Sequence, residues 1–296
     1  YLTLDTAIQH IVERELRRAV EERGAKSGSM VLLDPATGGV LAMASYPMFD
    51  PNEYQRANPA LWRNRPIMDA YEPGSTFKVV TAAAALDAGL VRPDDVFDCE
   101  MGGINLLGVR IRDHKPFGQL TFAQVLSKSS NVGIIKTALL LGDERFYATI
   151  RGFGFGRSTG IDLPGENPGI LAPVESWQPR SKAYISFGQG VAVTPLQLAA
   201  AMGAVANGGY LVTPHIVAAV GEGDDLQRLH PRPKVVGRPI GAATAEQLRE
   251  LLAPAREHLP VQGERCLGHR LAHDARDLLR ALLDVRAPRL PHLTDL

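Results

Sequence analysis

In 296 residues, 32 basic side chains balance 32 acidic ones, so no electrostatic force draws the chain to a nucleic-acid polyanion or an acidic lipid surface. A chain of this length buries roughly three quarters of the surface its unfolded form exposes and needs no metal or disulfide staple. Its two cysteines, Cys99 and Cys266, are too few for a disulfide framework. The best apolar stretches, around Val79 to Leu86 and Ile134 to Leu141, are interrupted by Asp87 and Lys136 and fall well short of a membrane span.

The sequence begins at Tyr1 without a basic-plus-apolar leader, and a preceding segment, leader or anchor is expected to be missing. Asp5 is placed to cap a helix whose apolar positions Ile8, Ile11, Val12, Leu16, Ala19 and Val20 recur until Gly24. Ser29 to Leu33 and Val40 to Ala44 flank Asp34-Pro35-Ala36-Thr37-Gly38-Gly39, which predicts a β-hairpin. Residues 46 to 70 have no period and read as a surface loop. The alanine-rich stretch Phe77 to Leu90 predicts a helix, with Ser75 at or just before its start.

After Pro93 come strand-like pairs, and then a capping box at Thr121-Phe122-Ala123-Gln124. The helix it opens should break at Ser129-Ser130-Asn131 and resume through Leu141. Asp143 is expected to cap a short helix, and Gly152 to Gly169 to form a glycine-punctuated loop. Thr194-Pro195-Leu196-Gln197 is a second capping box with proline at the first helical position, opening a helix to Ala206. A last helix is expected from Thr244, carrying Leu248, Leu251 and Leu252. Beyond Ala253 the composition turns to Arg, Leu, Pro and His, which divides the chain into residues 1–253 and a divergent tail, 254–296.

Ser75-Thr76-Phe77-Lys78 is the sharpest chemical feature. On a helix, positions three apart share a face, which puts an ammonium near a hydroxyl. A serine hydroxyl becomes a nucleophile when a base takes its proton, and lysine can be that base if desolvation and nearby positive charge lower its pKa. A helix start also aims backbone N–H groups at developing oxyanion charge. At the helix break, Ser129 can relay a proton and Asn131 can hold a substrate amide; the plainer reading of Ser129-Ser130-Asn131 is a helix cap.

Ser75-x-x-Lys78 followed by Ser129-x-Asn131 resembles the first two motifs of penicillin-recognising serine acyltransferases. Around them stand Leu2-Thr3-Leu4-Asp5, the hairpin with Asp34 and Gly38, Tyr46-Pro47, Glu72-Pro73-Gly74, Gly188-Gln189-Gly190 and Thr194-Pro195-Leu196-Gln197. In order and spacing these are similar to class B penicillin-binding proteins, the D,D-transpeptidases of peptidoglycan synthesis, from about Tyr1 to Ala253. Arg112-Asp113 looks more like the division-type enzymes.

The resemblance implies an α/β fold, an antiparallel sheet packed by helices beside a mostly helical subdomain, with Ser75 at their junction. It implies Ser75 as nucleophile toward D-Ala-D-Ala stem peptides, Lys78 as base, Ser129 as proton donor to the leaving amine and Asn131 as substrate ligand. β-Lactams would trap Ser75 as an ester. No metal or cofactor is implied. The expected setting is the extracytoplasmic face of the bacterial inner membrane, with cell-division or glycan-synthesis proteins as partners.

The family's third motif, Lys-Thr-Gly on a strand, is absent; Lys136-Thr137 is followed by Ala138 in a predicted helix. The sheet is therefore expected to be incomplete toward the C-terminus, with the hairpin's apolar face uncovered, and turnover to be crippled. The tail is expected to be out of register with its ancestor, as a reading-frame change would leave it. Two other classes share these residues: a non-catalytic scaffold retaining ligand binding, and a β-lactamase, for which no glutamate that activates water is evident. Cys266-x-x-His269-x-x-x-His273 could present three zinc ligands but has no evident fourth. Gly152-Phe153-Gly154-Phe155-Gly156 lacks a dinucleotide fingerprint's last glycine and reads as a turn, and His114 and His215 as loop or core residues.

Overall fold

The computed structural model describes residues 1–257. Helix α1 (Thr6–Arg23) starts where Asp5 accepts the amides of Ala7 and Ile8 and stops where Gly24 turns left-handed, as the sequence predicts. Strands β1 (Gly28–Leu33) and β2 (Val40–Tyr46) form the hairpin, with an irregularity at Leu32/Leu33. Asp34 holds its turn by accepting from the amide of Ala36 at 3.0 Å and the hydroxyl of Thr37 at 2.5 Å. Val12, Leu16 and Val20 of α1 pack with Ala42 and Ala44 in one core, while Val31, Leu33 and Met43 pack with Ile67, Ile161, Leu196 and Ile216 in another.

Residues 46–70 are more ordered than a plain loop. Asp50 and Asn58 side chains cap 3-10 turns at Pro51–Arg56 and Pro59–Leu61, and a four-residue helix α2 (Arg65–Met68) follows. A 3-10 turn (Gly74–Phe77) leads into α3 (Lys78–Asp87), which is buried from Val80 to Leu86; a run of four alanines lets neighbouring helices approach it closely. Strand β3 (Val96–Asp98) pairs with β6 (Gln119–Thr121), and between them β4 (Gly103–Leu106) and β5 (Val109–Arg112) form a second hairpin. The Thr121 capping box opens α4 (Phe122–Ser127), and after the predicted break α5 (Asn131–Leu139) follows.

Helix α6 (Asp143–Gly152) corrects one expectation. Its N-cap is Gly142; Asp143 sits in the first turn, where its charge favours the helix N-terminus, and pairs with Lys182 at 2.7 Å. Beyond β7 (Ile170–Leu171) the short helix α7 (Ser181–Ser186) was not legible, because six residues leave too few turns for a period. Strand β8 (Val191–Ala192) pairs with β7, and α8 (Pro195–Ala206) has its capping box and Pro195 where predicted. Strands β9 (Leu211–Val212), β10 (Ala219–Val220), β11 (Gln227–Arg228) and β12 (Val235–Gly237) pair as β9 with β12 and β10 with β11. Helix α9 (Ala242–Glu257) starts before Thr244, whose hydroxyl donates to Asp87 at 2.8 Å instead of capping, and it runs on through Ala253.

Every sheet among the described residues is two-stranded and antiparallel. The hairpin's faces are nevertheless covered, contrary to expectation. Leu16 and Val20 of α1 lie against Gly28, and Gly203 of α8 lies beside Leu33. What is open among the described residues is the edge of β1 away from β2, since β2 is its sole partner strand there. The largest core gathers α3, α6, α8 and α9 around Phe77, Phe122, Phe146, Phe153 and Phe155. No helix of the described residues is long and apolar enough to cross a membrane. The proposed frame change and the Cys266, His269, His273 set lie outside the described residues, apart from the start of the tail within α9.

Candidate active site

Phe77 decides how the Ser75–Lys78 segment faces. Its ring is fully buried, 5.1 Å from that of Phe155, which anchors the 3-10 turn in the core. Ser75, two residues earlier, is exposed, while Lys78 is 3% exposed. The Lys78 Nζ donates to the Ser129 carbonyl at 2.6 Å and to Ser129 Oγ at 3.0 Å. Among the described residues the hydrogen bonds of Nζ go to Ser129 and none to Ser75 Oγ, while the Lys78 amide donates to the Ser75 carbonyl.

The reason lies in the helix break. In a continuous helix the Gly133 amide would donate to the Ser129 carbonyl; here it donates to Ser130 Oγ at 2.9 Å. The freed carbonyl is a strong acceptor for a desolvated ammonium. Burial pulls the Lys78 pKa from 10.5 down to about 8, and the charge of Asp113 opposes part of that fall. Sequence reasoning asked for a neighbouring positive charge; the charge acting on the lysine is acidic, and burial alone does the lowering.

Ser129 has φ 54, the left-handed conformation that joins the end of α4 to the cap of α5. The capping role falls to Ser130, which is buried, and this leaves Ser129 and Asn131 on either side of it half-buried. Asn131 Nδ2 donates to the Arg112 carbonyl at 2.8 Å, and nothing among the described residues donates to its carboxamide oxygen. The carboxylate of Asp113, between β5 and β6, accepts from Ser130 Oγ at 2.7 Å, from the Val132 amide at 3.1 Å and from the Asn131 amide. The sequence shows Asp113 only as part of a segment preceding the motif, and an acidic residue in a loop carries no signal that it reaches across to a helix 18 positions on.

Gly188-Gln189-Gly190 finds its place against the Ser75 turn. The Gly74 amide donates to the Gly188 carbonyl at 3.1 Å, the Gly190 amide to Glu72 Oε1 at 2.8 Å, and Tyr71 bridges Val193. Gly188 has φ 80, and a Cβ there would lie 2.2 Å from the Gly74 carbonyl oxygen. We expect Gly188→Ala to destabilise the protein by about 2–4 kcal/mol through overpacking and backbone strain. A thermal melt checks this, and a wild-type melt would contradict the packing described.

Of the four residues, Ser75 is exposed, Ser129 and Asn131 are half-buried and Lys78 is buried. A 140 Å³ cavity beside Phe153, Thr159 and Gln197 and a 760 Å³ groove beside Met43, Phe49 and Trp62 lie elsewhere. His215 is buried and lies against His230 with ring centroids 4.1 Å apart, and His114 is exposed in a loop with its ring 5.3 Å from that of Phe117. The Gly152–Gly156 stretch ends α6 and turns, burying Phe153 and Phe155. Among the described residues no cluster of His, Cys, Asp or Glu is arranged to hold a metal.

The family model for the penicillin binding protein transpeptidase domain matches residues 28–258. Stage V sporulation protein D of Bacillus subtilis is 43% identical over 220 residues, 73% of this chain and 34% of that protein. Peptidoglycan D,D-transpeptidase FtsI of Escherichia coli is 42% identical over 198 residues, 67% of this chain and 33% of that protein. The chain thus spans about a third of the length of these relatives. Among solved structures, penicillin binding protein 3 of Mycobacterium tuberculosis in complex with aztreonam superposes with a TM-score of 0.81 at 36% identity, covering 88% of this chain and 59% of that one.

Proposed function

The chain belongs to the penicillin binding protein transpeptidase family, and from that premise we propose that it performs serine acyl transfer on D-Ala-D-Ala stem peptides in cell-wall synthesis at division. The observation that carries this reading is a desolvated lysine one turn after an exposed serine and hydrogen-bonded to the serine of the second motif. Ser75 Oγ attacks the carbonyl carbon of the penultimate D-Ala and its proton passes to neutral Lys78. The C–N bond to the terminal D-Ala then breaks, Ser129 hands a proton to the departing amine, and Lys78 replenishes Ser129. An amine of a neighbouring strand takes the acyl group and returns Ser75 to its starting state. Asn131 binds the peptide group of the substrate through its free carboxamide oxygen.

β-Lactams, which present a strained amide to the same nucleophile, are proposed to acylate Ser75. The reaction is placed on the extracytoplasmic face of the inner membrane, alongside division and glycan-synthesis proteins. A second reading is favoured by one feature: no Lys-Thr-Gly occurs in these 296 residues. On that reading the scaffold binds without turnover, since one missing oxyanion donor typically costs about 10²–10³ in rate. Intact-mass analysis after incubation with a penicillin separates the two. A gain of one antibiotic mass, mapped to Ser75 and absent in Ser75→Ala, is expected; no gain at saturating antibiotic overturns acyl transfer and leaves the scaffold.

A further inference from the structure

We propose that Asp113 is a positioning residue for this site: its carboxylate fixes the turn that presents Ser129 to Lys78 and Asn131 to the substrate. The inference rests on the acyl-transfer reading for its function but on hydrogen bonds for its geometry. One carboxylate accepts from three consecutive residues, Ser130 through its hydroxyl and Asn131 and Val132 through their amides. The two amides belong to the first turn of α5, whose N–H groups have no helical partner. Asp113 thereby caps that turn from outside the helix. Its own amide donates to the Gly102 carbonyl at 2.9 Å, so the cap is fastened to the residue that precedes β4. Arg112, the adjacent residue, receives the Asn131 side chain. Loss of the cap would free Ser129 from a left-handed conformation that non-glycine residues otherwise avoid.

The same carboxylate acts on Lys78 by its charge and holds its pKa higher than burial alone would leave it. The other charged groups on the elements packed against α3 have partners of their own or are exposed. On the helices packed against α3, Lys136 pairs with Glu100, Lys182 with Asp143 and Arg249 with Glu246. Asp87 accepts from Gly241 and Thr244, Arg151 donates to the carbonyls of Phe155 and Gly156, and Glu144, Arg145 and Glu250 face solvent. Lys128, at the end of α4, lies over the Phe117 ring. Asp113 therefore both places the proton-relay serine and tunes the base it meets.

The test compares Asp113→Asn, which keeps the shape and removes the charge, with Asp113→Glu, which keeps the charge. The Lys78 titration is followed by NMR in lysine-labelled protein, its signal assigned by loss in Lys78→Met, and acylation is followed with a fluorescent penicillin. Asp113→Asn should move the Lys78 midpoint below about 8 and, at about pH 9 where the amine is mostly neutral in both proteins, slow acylation roughly ten- to a hundredfold through lost positioning. Asp113→Glu should return the midpoint toward the wild-type value, a response that a merely structural residue would not give. An unchanged midpoint in Asp113→Asn, or a shifted midpoint with an unchanged rate, overturns the proposal. If wild-type protein is never acylated while the midpoint falls in Asp113→Asn, the coupling of Asp113 to Lys78 stands and acyl transfer fails. Should Asp113→Asn not fold, the titration of Asp113→Ser, which also removes the charge, decides: an unchanged Lys78 midpoint overturns the tuning, and a lowered one supports it.

Discussion

Lys78→Met slows acylation of Ser75 by a β-lactam by about 10²–10⁴, the usual contribution of a positioned general base, while the protein remains folded. Methionine has nearly the length and volume of the lysine stem, so the packing around the start of α3 is kept and the proton acceptor is lost. In the wild-type protein the base form is the neutral amine. With a pKa of about 8, the neutral fraction at pH 7 is roughly a tenth, and it rises about tenfold per pH unit below the pKa. The acylation rate should therefore climb with pH and level off above about 8. Stopped-flow measurement with a chromogenic cephalosporin over pH 6 to 9 checks both statements. A rate that is flat across that interval, or a Lys78→Met variant as fast as wild type, would remove the lysine from the mechanism.

The structure explains why the lysine is more legible in the sequence than its partner. Ser75 and Lys78 are three apart, so local geometry suggests their association, and the 3-10 turn that carries Ser75 does lead into Lys78 at the start of α3. Yet the ammonium reaches across 51 positions to Ser129, because the broken helix leaves a carbonyl that a charged donor satisfies better than an exposed hydroxyl. Caps were legible for a related reason. Asp5, Thr121 and Thr194 act on amides two or three residues away, so their roles are written in the sequence next to them.

Asp143 shows the limit of that logic. It has the right residue type one position too late, and Gly142 takes the cap with no side chain at all. Asp113 was illegible as a site residue, since nothing in a loop aspartate announces acceptance from a helix 17 to 19 positions on. Short strands such as β7 and β8 suffered the same fate. With two residues each they show no alternation, and they exist because the chain around Gly169 and Val193 is brought together by the Tyr71 bridge and by Gln197, whose Nε2 donates to the carbonyls of Arg157 and Pro168.

The same Lys78→Met change should stabilise the protein at pH 7, by about 1–2 kcal/mol. Moving the lysine pKa from 10.5 in the unfolded chain to about 8 in the fold corresponds to a cost of roughly 3 kcal/mol for holding the ammonium in a desolvated place. Against this stand the two hydrogen bonds to Ser129, whose loss costs about 1–2 kcal/mol because Ser129 is half-buried and water can reach it. The desolvation cost is the larger, so removing the charge wins at neutral pH. Between pH 8 and 10.5 the unfolded chain binds more protons at this position than the folded one, and wild-type stability gains on the variant as pH rises. Above about 10.5 the lysine is neutral in both states, the penalty is gone, and only the lost hydrogen bonds remain, so the variant becomes the less stable of the two. Urea midpoints of both proteins at pH 7 and at pH 10 isolate this group, because every other titrating residue is common to them. A variant that is less stable at pH 7 by the same margin as at pH 10 would show that the lysine is not held against its own solvation. A site that stores this cost in its base is one where loss of function and gain of stability come from the same atom.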